Sequence, residues 1–437
     1  MIRSVPSRKA LMPPWWPAII LVLIPALAIS SRTAVAAEAS TLGGQAMGTA
    51  WTARWHAGEH SSPILAPERL RAEISRRIER IESRMSNWRD DSEISRFNSS
   101  ESTDWFSVSS ETVRVIDAAG EISRQSKGAF DITVSPLVEL WGFGVAAAKA
   151  APGTERLAVA QSLVGWKKLV TRQDPPAIRK TIPGLTINLS AIAKGYAVDV
   201  VAEFFESLPV DGYLVEIGGE TRVGGKRPGG RPWRIGVEEP IAGVRRVRRV
   251  LSFSEGSRAV ATSGDYRNRK VHQGRYVSHT LDPRTGQPVQ HNLAAVTVVA
   301  SDCMTADGLA TMLMVLGPEE GLDHAKRHGI AALLLSRLGG EVHETATPEF
   351  LNAFPTGRAS GWTATLWPVL ALVVLAVGGL STGVLLKGRG LIGSCGGLSV
   401  FCDARNDSQC RACSNPSAEG FVPDSDSATN CSVPVEN

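Results

Sequence analysis

Asp307 and Thr311 stand four residues apart in Ala306-Asp307-Gly308-Leu309-Ala310-Thr311. On an α-helix that spacing sets both on one face, one turn apart. A carboxylate and a hydroxyl so placed offer oxygen ligands to a hard cation such as Mg2+. The pair equally fits an acidic residue in a first turn, favouring the helix dipole, and a threonine bonding back to a carbonyl. A second segment, from Asn188-Leu189-Ser190-Ala191 through Lys194 to Asp199, reads as a strand end, a serine N-cap and a lysine in the first turn of a helix. Free N–H groups with the Lys194 charge suit a phosphate. An ordinary capped helix with a solvated lysine is the other reading. Gly218-Gly219-Glu220 permits either close backbone approach or a tight turn. His279, in Ser278-His279-Thr280-Leu281-Asp282, is an acid–base group, a phosphate ligand or a structural strand histidine.

The elements that must hold these residues have clear periods. Leu70, Ile74, Ile78 and Ile81 recur at three and four, predicting a helix over 65–84. A second helix is expected over 108–126, capped by Ser109 or Ser110. Residues 186–189 read as a short strand leading into a helix over 191–208. Strands are expected at 213–217, 233–237 and 295–300, the last leading into a helix over 305–316. Strands and helices do not alternate regularly, so an α+β domain over 43–338 is expected rather than a doubly wound sheet. Residues 339–361 read as a linker.

The chain has 437 residues and a formal charge of +4. Arg245, Arg246, Arg248 and Arg249 form its one dense basic cluster, and no stacking aromatics accompany it, so nucleic acid is excluded as a partner. Residues 1–37 have the form of an export signal or an uncleaved anchor: Arg3, Arg8 and Lys9, an apolar run over 15–29, then Ala34-Val35-Ala36. The uncharged apolar run over 363–386 would reach about 36 Å as a helix, against about 30 Å of hydrocarbon, and predicts a transmembrane helix. Lys387 and Arg389 follow it, which places residues 387–437 in the cytoplasm and the body outside, in the periplasm. Cys303 is the body's single cysteine, and the other five of six lie in the tail. In a reducing compartment such a cluster signals metal more than disulfides.

Read in order, these segments resemble the ApbE family of exported FAD:protein FMN transferases. The likeness begins at Met47-Gly48-Thr49 and includes Ser86-Asn87-Trp88, Glu93 to Asn98, and Gly128-Ala129-Phe130-Asp131 onward. Leu140-Trp141-Gly142, the Lys194 helix, Gly218-Gly219, Ser263 to Tyr266, His279 and the Asp307/Thr311 helix follow. The resemblance implies Mg2+-dependent cleavage of FAD and attachment of FMN to a threonine hydroxyl of another protein. It implies that Asp307, Thr311 and the backbone carbonyl of Ala191 ligate Mg2+, and that Met47, Ala129, Phe130, Asp131, Asn188 and Lys194 contact FAD. His279 would sit near the phosphates, and Asp307 would also help deprotonate the hydroxyl. Asn188 departs from the family, where Asp is common. Two other activities use the same residues: hydrolysis of FAD to FMN and AMP, and flavin binding without catalysis.

The tail resembles the NqrM-type maturation factor of the Na+-translocating NADH:quinone oxidoreductase, on Gly393-Ser394-Cys395-Gly396-Gly397-Leu398 after an apolar span and a basic flank. That resemblance implies iron handling, with Cys395, Cys402, Cys410 and Cys413 as four thiolates. The chain would then join two assembly activities for one inner-membrane complex, a subunit of which would be the flavin acceptor.

Overall fold

The computed structural model describes residues 39–57, 66–144, 152–241, 243, 246–265, 269–272, 275–355 and 370–375. The chain divides into two units, Met1–Thr356 and Gly357–Asn437. The first unit opens with β1 (Ser40–Ala46), β2 (Thr49–His56), α1 (Pro67–Met85), α2 (Glu93–Ser99), β3 (Phe106–Ser107), α3 (Ser110–Gln125), α4 (Ser135–Leu140) and α5 (Thr154–Leu163). There follow β4 (Leu169–Arg172), β5 (Ala177–Lys180), α6 (Ala193–Glu206), β6 (Gly212–Ile217), β7 (Glu220–Gly225), β8 (Trp233–Glu238), β9 (Val247–Phe253) and β10 (Arg258–Gly264). The short strands β11 (Arg269–His272), β12 (Arg275–Ser278), β13 (Leu281–Asp282) and β14 (Gln287–Pro288) lead to β15 (Leu293–Ala300) and α7 (Cys303–Arg327). The unit closes with β16 (Ala331–Leu338), β17 (Glu341–Ala346) and α8 (Pro348–Ala353).

An eight-stranded antiparallel sheet, in the order β1-β2-β6-β7-β10-β15-β16-β17, is the frame. Its strands alternate because each face meets a different layer. Trp51, Ala53 and Trp55 of β2 are buried against the helices, whereas Arg54 between them is exposed. The helical layer holds α1, α3, α6 and α7 in the larger core. Leu70, Ile74, Ile78, Ile81 and Met85 form the one apolar stripe of α1 and are all at most 3% exposed. Burying each such side chain contributes about 1.5–3 kcal/mol, so Ile78→Ala alone would cost about 2–5 kcal/mol. On the other face a smaller core joins Leu214, Val223 and Leu333 of the sheet to Trp233 and Leu251 of the β8–β9 hairpin and to Phe350 of α8.

The expected α+β class is found, and so are the helices expected near 65–84 and 108–126, the latter capped by Ser109, which accepts from Thr112 N. Three expectations are corrected. Residues 186–189 form no strand, because the Ile187 peptide groups are taken by side chains: Asn87 and Asn98 donate to its carbonyl at 2.7 and 2.9 Å, and its N–H reaches Asn98 Oδ1 at 2.8 Å. Ser190 does not cap α6, whose N-cap is Ile192 without a side-chain bond. Much of the expected linker is structure: β17 adds an edge strand to the sheet and α8 packs beside it, with Phe350 fully buried.

The export segment, 1–37, and the tail cysteines lie outside the described residues. Of the expected span over 363–386, only 370–375 is described, as exposed helix. Among the described residues no helix is long and apolar enough to cross a membrane.

Candidate active site

Helix α7 is anchored before it reaches its chemistry. Asp302 caps it by accepting from Thr305 N at 2.8 Å. Its next free N–H groups, at Cys303 and Met304, donate to the carboxylate of Asp199 on α6 at 2.8–3.0 Å. Arg222 of β7 holds the same carboxylate at 2.8 Å. The helices approach so closely that a Cβ on Gly195 would lie 2.3 Å from the Cys303 carbonyl oxygen. Only glycine fits there. Asp307 therefore lies beyond the first turn, 3% exposed, and the dipole role passes to Asp302 and Asp199.

Asp307 Oδ2 accepts from Gly195 N at 3.0 Å, and its Oδ1 is 3.9 Å from Lys194 Nζ. The Lys194 ammonium donates to Glu220 Oε1 at 2.5 Å. It is thus an ion-pairing group between two buried carboxylates, not a solvated lysine. Glu220 is 4% exposed and its Oε2 is buried without a hydrogen-bond partner. It follows Gly218 and Gly219, whose φ values of 68° and 112° turn the chain from β6 into β7 and aim the carboxyl inward. Burial pushes Glu220 up to about 7 and raises Asp307 as well, against the opposing pull of Lys194. For Lys194, burial pulls the ammonium down, but Asp307 and Glu220 outweigh it and hold the group well above the usual lysine range. Two carboxyls around one ammonium leave a surplus acceptor that a proton or a metal cation can satisfy.

The cluster floors a cleft of about 1680 Å3. Ala191, Asn188, Thr311, His279 and Ala129 to Asp131 all line it, so the structure brings these sequence-selected residues together. Thr311 Oγ1 lies 3.0 Å from Ser263 Oγ. His279 is half-buried, with the Phe143 ring edge-on at 6.3 Å between centroids. Asp131 spends its carboxylate locally, accepting from the Thr133 hydroxyl at 2.7 Å, Thr133 N at 2.8 Å and Trp166 N at 2.8 Å. Burial raises its pKa, and those bonds only partly offset this. Asn188 fixes the approach to α6: its N–H donates to Ile132 O at 2.7 Å and its Oδ1 accepts from Ser190 N at 2.9 Å. Met47 is not among the residues lining the cleft. At φ 51° it turns the β1–β2 hairpin, and its N–H donates to Glu82 Oε1 at 2.6 Å.

Sequence reasoning passed over Glu220 and Asp199 as site residues. Each lay inside a segment already singled out, but their partners lie 23 to 105 residues away. Trp88 was also passed over: its indole is 67% exposed and lines the cleft, where it offers a flat face to an aromatic ring. Among the described residues no group of three or more His, Cys, Asp and Glu side chains forms a metal site. Any cation here would rest on one or two carboxylates with hydroxyl and carbonyl oxygens.

An α+β body with a dinucleotide-sized cleft, floored by buried carboxylates around a lysine, defines an enzyme that works on a charged, extended substrate. The chain matches the sequence model of the ApbE family over residues 47–334, and it belongs to that family. It is 39% identical over 332 residues to an FAD:protein FMN transferase of Vibrio cholerae, covering 76% of this chain and 97% of the relative. The solved structure of the flavin transferase ApbE from Vibrio cholerae aligns with a TM-score of 0.65 at 39% identity, covering 72% of this chain and 99% of that one. The apo flavinyl transferase ApbE of Pseudomonas stutzeri aligns with a TM-score of 0.66 at 37% identity, covering 73% and 98%.

Proposed function

We propose that this chain is an FAD:protein FMN transferase, moving FMN from FAD to a threonine hydroxyl of an acceptor protein. In the balanced step the threonine oxygen bonds to the phosphorus on the FMN side of the pyrophosphate. The bond to the bridging oxygen breaks, AMP leaves with that oxygen, and the hydroxyl proton passes to a carboxylate. The observation that carries the reading is the Lys194–Glu220–Asp307 cluster at the floor of a cleft large enough for a dinucleotide.

The donor chemistry here fits Mg2+: Asp307, the Thr311 hydroxyl and the Ala191 carbonyl are hard oxygen ligands, and the orphaned Glu220 Oε2 marks a place short of a positive partner. When bound, the ion withdraws charge from the pyrophosphate and orients it. Lys194 neutralises phosphate oxygens while staying charged between its two carboxylates. Asp307 is the carboxylate that takes the hydroxyl proton, and His279, which lines the same cleft, meets the phosphates. Trp88, Ala129 and Phe130 receive the flavin ring. Incubation with FAD, Mg2+ and a flavin-free subunit of the Na+-translocating NADH:quinone oxidoreductase tests this. Covalent flavin surviving denaturation supports transfer, whereas free FMN and AMP alone mean hydrolysis.

The proposal extends to where the reaction occurs. The export segment and the apolar run over 363–386 support a body in the periplasm, held to the inner membrane, with the tail in the cytoplasm. Cys395, Cys402, Cys410 and Cys413 then bind iron for the complex whose subunit is flavinylated, and tethering concentrates both activities at one client. Deleting 388–437 should leave flavin transfer intact and lower the iron content of the complex. Normal iron loading after that deletion would sink the tail's role.

A further inference from the structure

Ile187 is bonded as a strand residue would be, but by side chains. Leu185, Ile187 and Leu189 are fully buried, and Thr186 and Asn188 between them line the cleft. The Asn98 amide exchanges two bonds with Ile187, donating to its carbonyl at 2.9 Å and accepting from its N–H at 2.8 Å. Facing residues of an antiparallel ladder exchange the same pair of bonds. A side-chain amide makes them without a run of backbone, and the cleft stays open beside Asn87 and Asn98, which both line it. Asn87 adds a second donor to the same carbonyl at 2.7 Å. Asn98 is itself held. It stands in the last turn of α2, and the buried Lys180 ammonium donates to the Phe97 and Ser100 carbonyls that bracket it, at 3.0 and 2.8 Å. A cation at that end also suits the helix dipole.

Ile187 in turn holds the approach to α6. The next N–H, of Asn188, donates to Ile132 O at 2.7 Å, and Asn188 Oδ1 accepts from Ser190 N at 2.9 Å. The Leu189 carbonyl accepts from Ile192 N at 3.0 Å and Ala193 N at 2.8 Å. The Gly195 N–H stands four residues beyond Ala191, where a helix would pair the two. It donates instead to Asp307 Oδ2 at 3.0 Å, which leaves the Ala191 carbonyl without that helical partner. Resting on the Mg2+-dependent reading above, we infer that Asn98 is a positioning residue for this chemistry. By taking a strand's place at Ile187 it fixes the turn from Asn188 to Ala191, and with it the Ala191 carbonyl relative to Asp307 and Lys194. Groups that orient a metal's ligands from behind are typically worth about 10–100-fold in metal affinity or activity.

Asn98→Leu, which keeps a branched side chain and removes the amide, tests this on the full chain. Mg2+ is titrated without nucleotide and followed by the rise in Tm, and turnover is read as AMP released from FAD. The Mg2+ midpoint should rise about tenfold or more, kcat should fall by a similar factor, and KM for FAD should stay within about threefold. Ile78→Ala is the control for general loosening: Ile78 is buried in α1 and does not line the cleft, so Tm should fall while the Mg2+ midpoint stays in place. If Asn98→Leu yields no folded protein, Asn87→Ala decides. It removes one donor from a carbonyl that Asn98 still serves, and the midpoint should rise about threefold. An unmoved midpoint in the variant that folds, or an equal shift in Ile78→Ala, overturns the role of Asn98. Loss of FAD affinity with kcat unchanged also overturns it, because Asn98 would then be a direct contact. A wild type whose Tm ignores Mg2+ refutes the metal reading itself, and the inference with it.

Discussion

Asp199→Ala is the sharpest probe of how the fold positions its chemistry. The Asp199 carboxylate serves two backbone N–H groups of α7, those of Cys303 and Met304, and the guanidinium of Arg222. All three partners lie away from bulk water, and the two N–H groups have no other acceptor within α7, because they belong to its first turn. Leaving a buried donor unmade costs about 1–3 kcal/mol each. Arg222 keeps Glu206 at 3.0 Å, so its charge is not stranded. The alanine variant should therefore lose about 3–5 kcal/mol, near the usual cost of breaking a buried pair. At roughly 2 °C or slightly more per kcal/mol for a body of this size, Tm should fall by roughly 6–12 °C in thermal unfolding followed by circular dichroism. Burial raises the Asp199 pKa even though Cys303, Met304 and Arg222 pull it down. The site thus needs an acceptor oxygen more than it needs a full charge, and Asp199→Asn should recover at least half of the loss. The kcat of the alanine variant should fall as well, since α7 carries Asp307 and Thr311. A Tm change under 2 °C, or an asparagine variant as unstable as the alanine one, would refute this account of the α6–α7 joint.

Three other outcomes are expected. The native Glu220 carboxyl binds its proton up to about pH 7, whereas its ordinary value is 4.5, so the wild type without Mg2+ loses stability from this group as pH rises across that window. Glu220→Gln does not titrate, and its Tm minus that of the wild type should climb between pH 5 and 8, by at most about 3 kcal/mol in free energy. A flat difference would mean that burial does not hold that proton. Trp88→Ala should leave Tm within about 1 °C, because the indole is already 67% exposed, while weakening FAD binding roughly tenfold in a fluorescence titration. Unchanged FAD affinity would remove Trp88 from the flavin wall. Truncation after Thr356 should give a soluble, folded body, whereas truncation after Leu338 strips β17 from β16, uncovers Leu333 and Leu335, and should aggregate in size-exclusion chromatography.

What could be read beforehand was what chain neighbours settle among themselves. The α1 stripe, the Ser109 cap and the Asp307/Thr311 pair depend on spacings of three or four residues, and each is found on its helix. The misreadings share one physical cause, which is competition from distant groups. Residues 186–189 look extended in sequence, but Asn87 and Asn98 take the Ile187 hydrogen bonds that a neighbouring strand would have taken. β17 is an edge strand with an alternating exposed and half-buried pattern, and its sequence Glu-Val-His-Glu-Thr-Ala carries too little apolar signal to separate it from a linker.

Glu220 shows why a site can be visible in outline and still lack its central member. By sequence it is an acidic residue after two glycines, the composition of an ordinary solvent-facing hairpin turn. Its difference from such a residue lies in what surrounds it: Lys194 from one helix and Asp307 from another, at the floor of a cleft where both carboxyls are buried. A carboxyl that has lost water but gained only one shared ammonium is costly to fold, and α7 must be held rigidly for the arrangement to persist. Asp199 and Gly195 supply that rigidity at the joint where a larger side chain would push the helices apart. The stability of the α6–α7 joint and the reactivity of the Lys194 cluster are therefore one property, and a substitution that loosens the first should be felt in the second even where it touches no substrate.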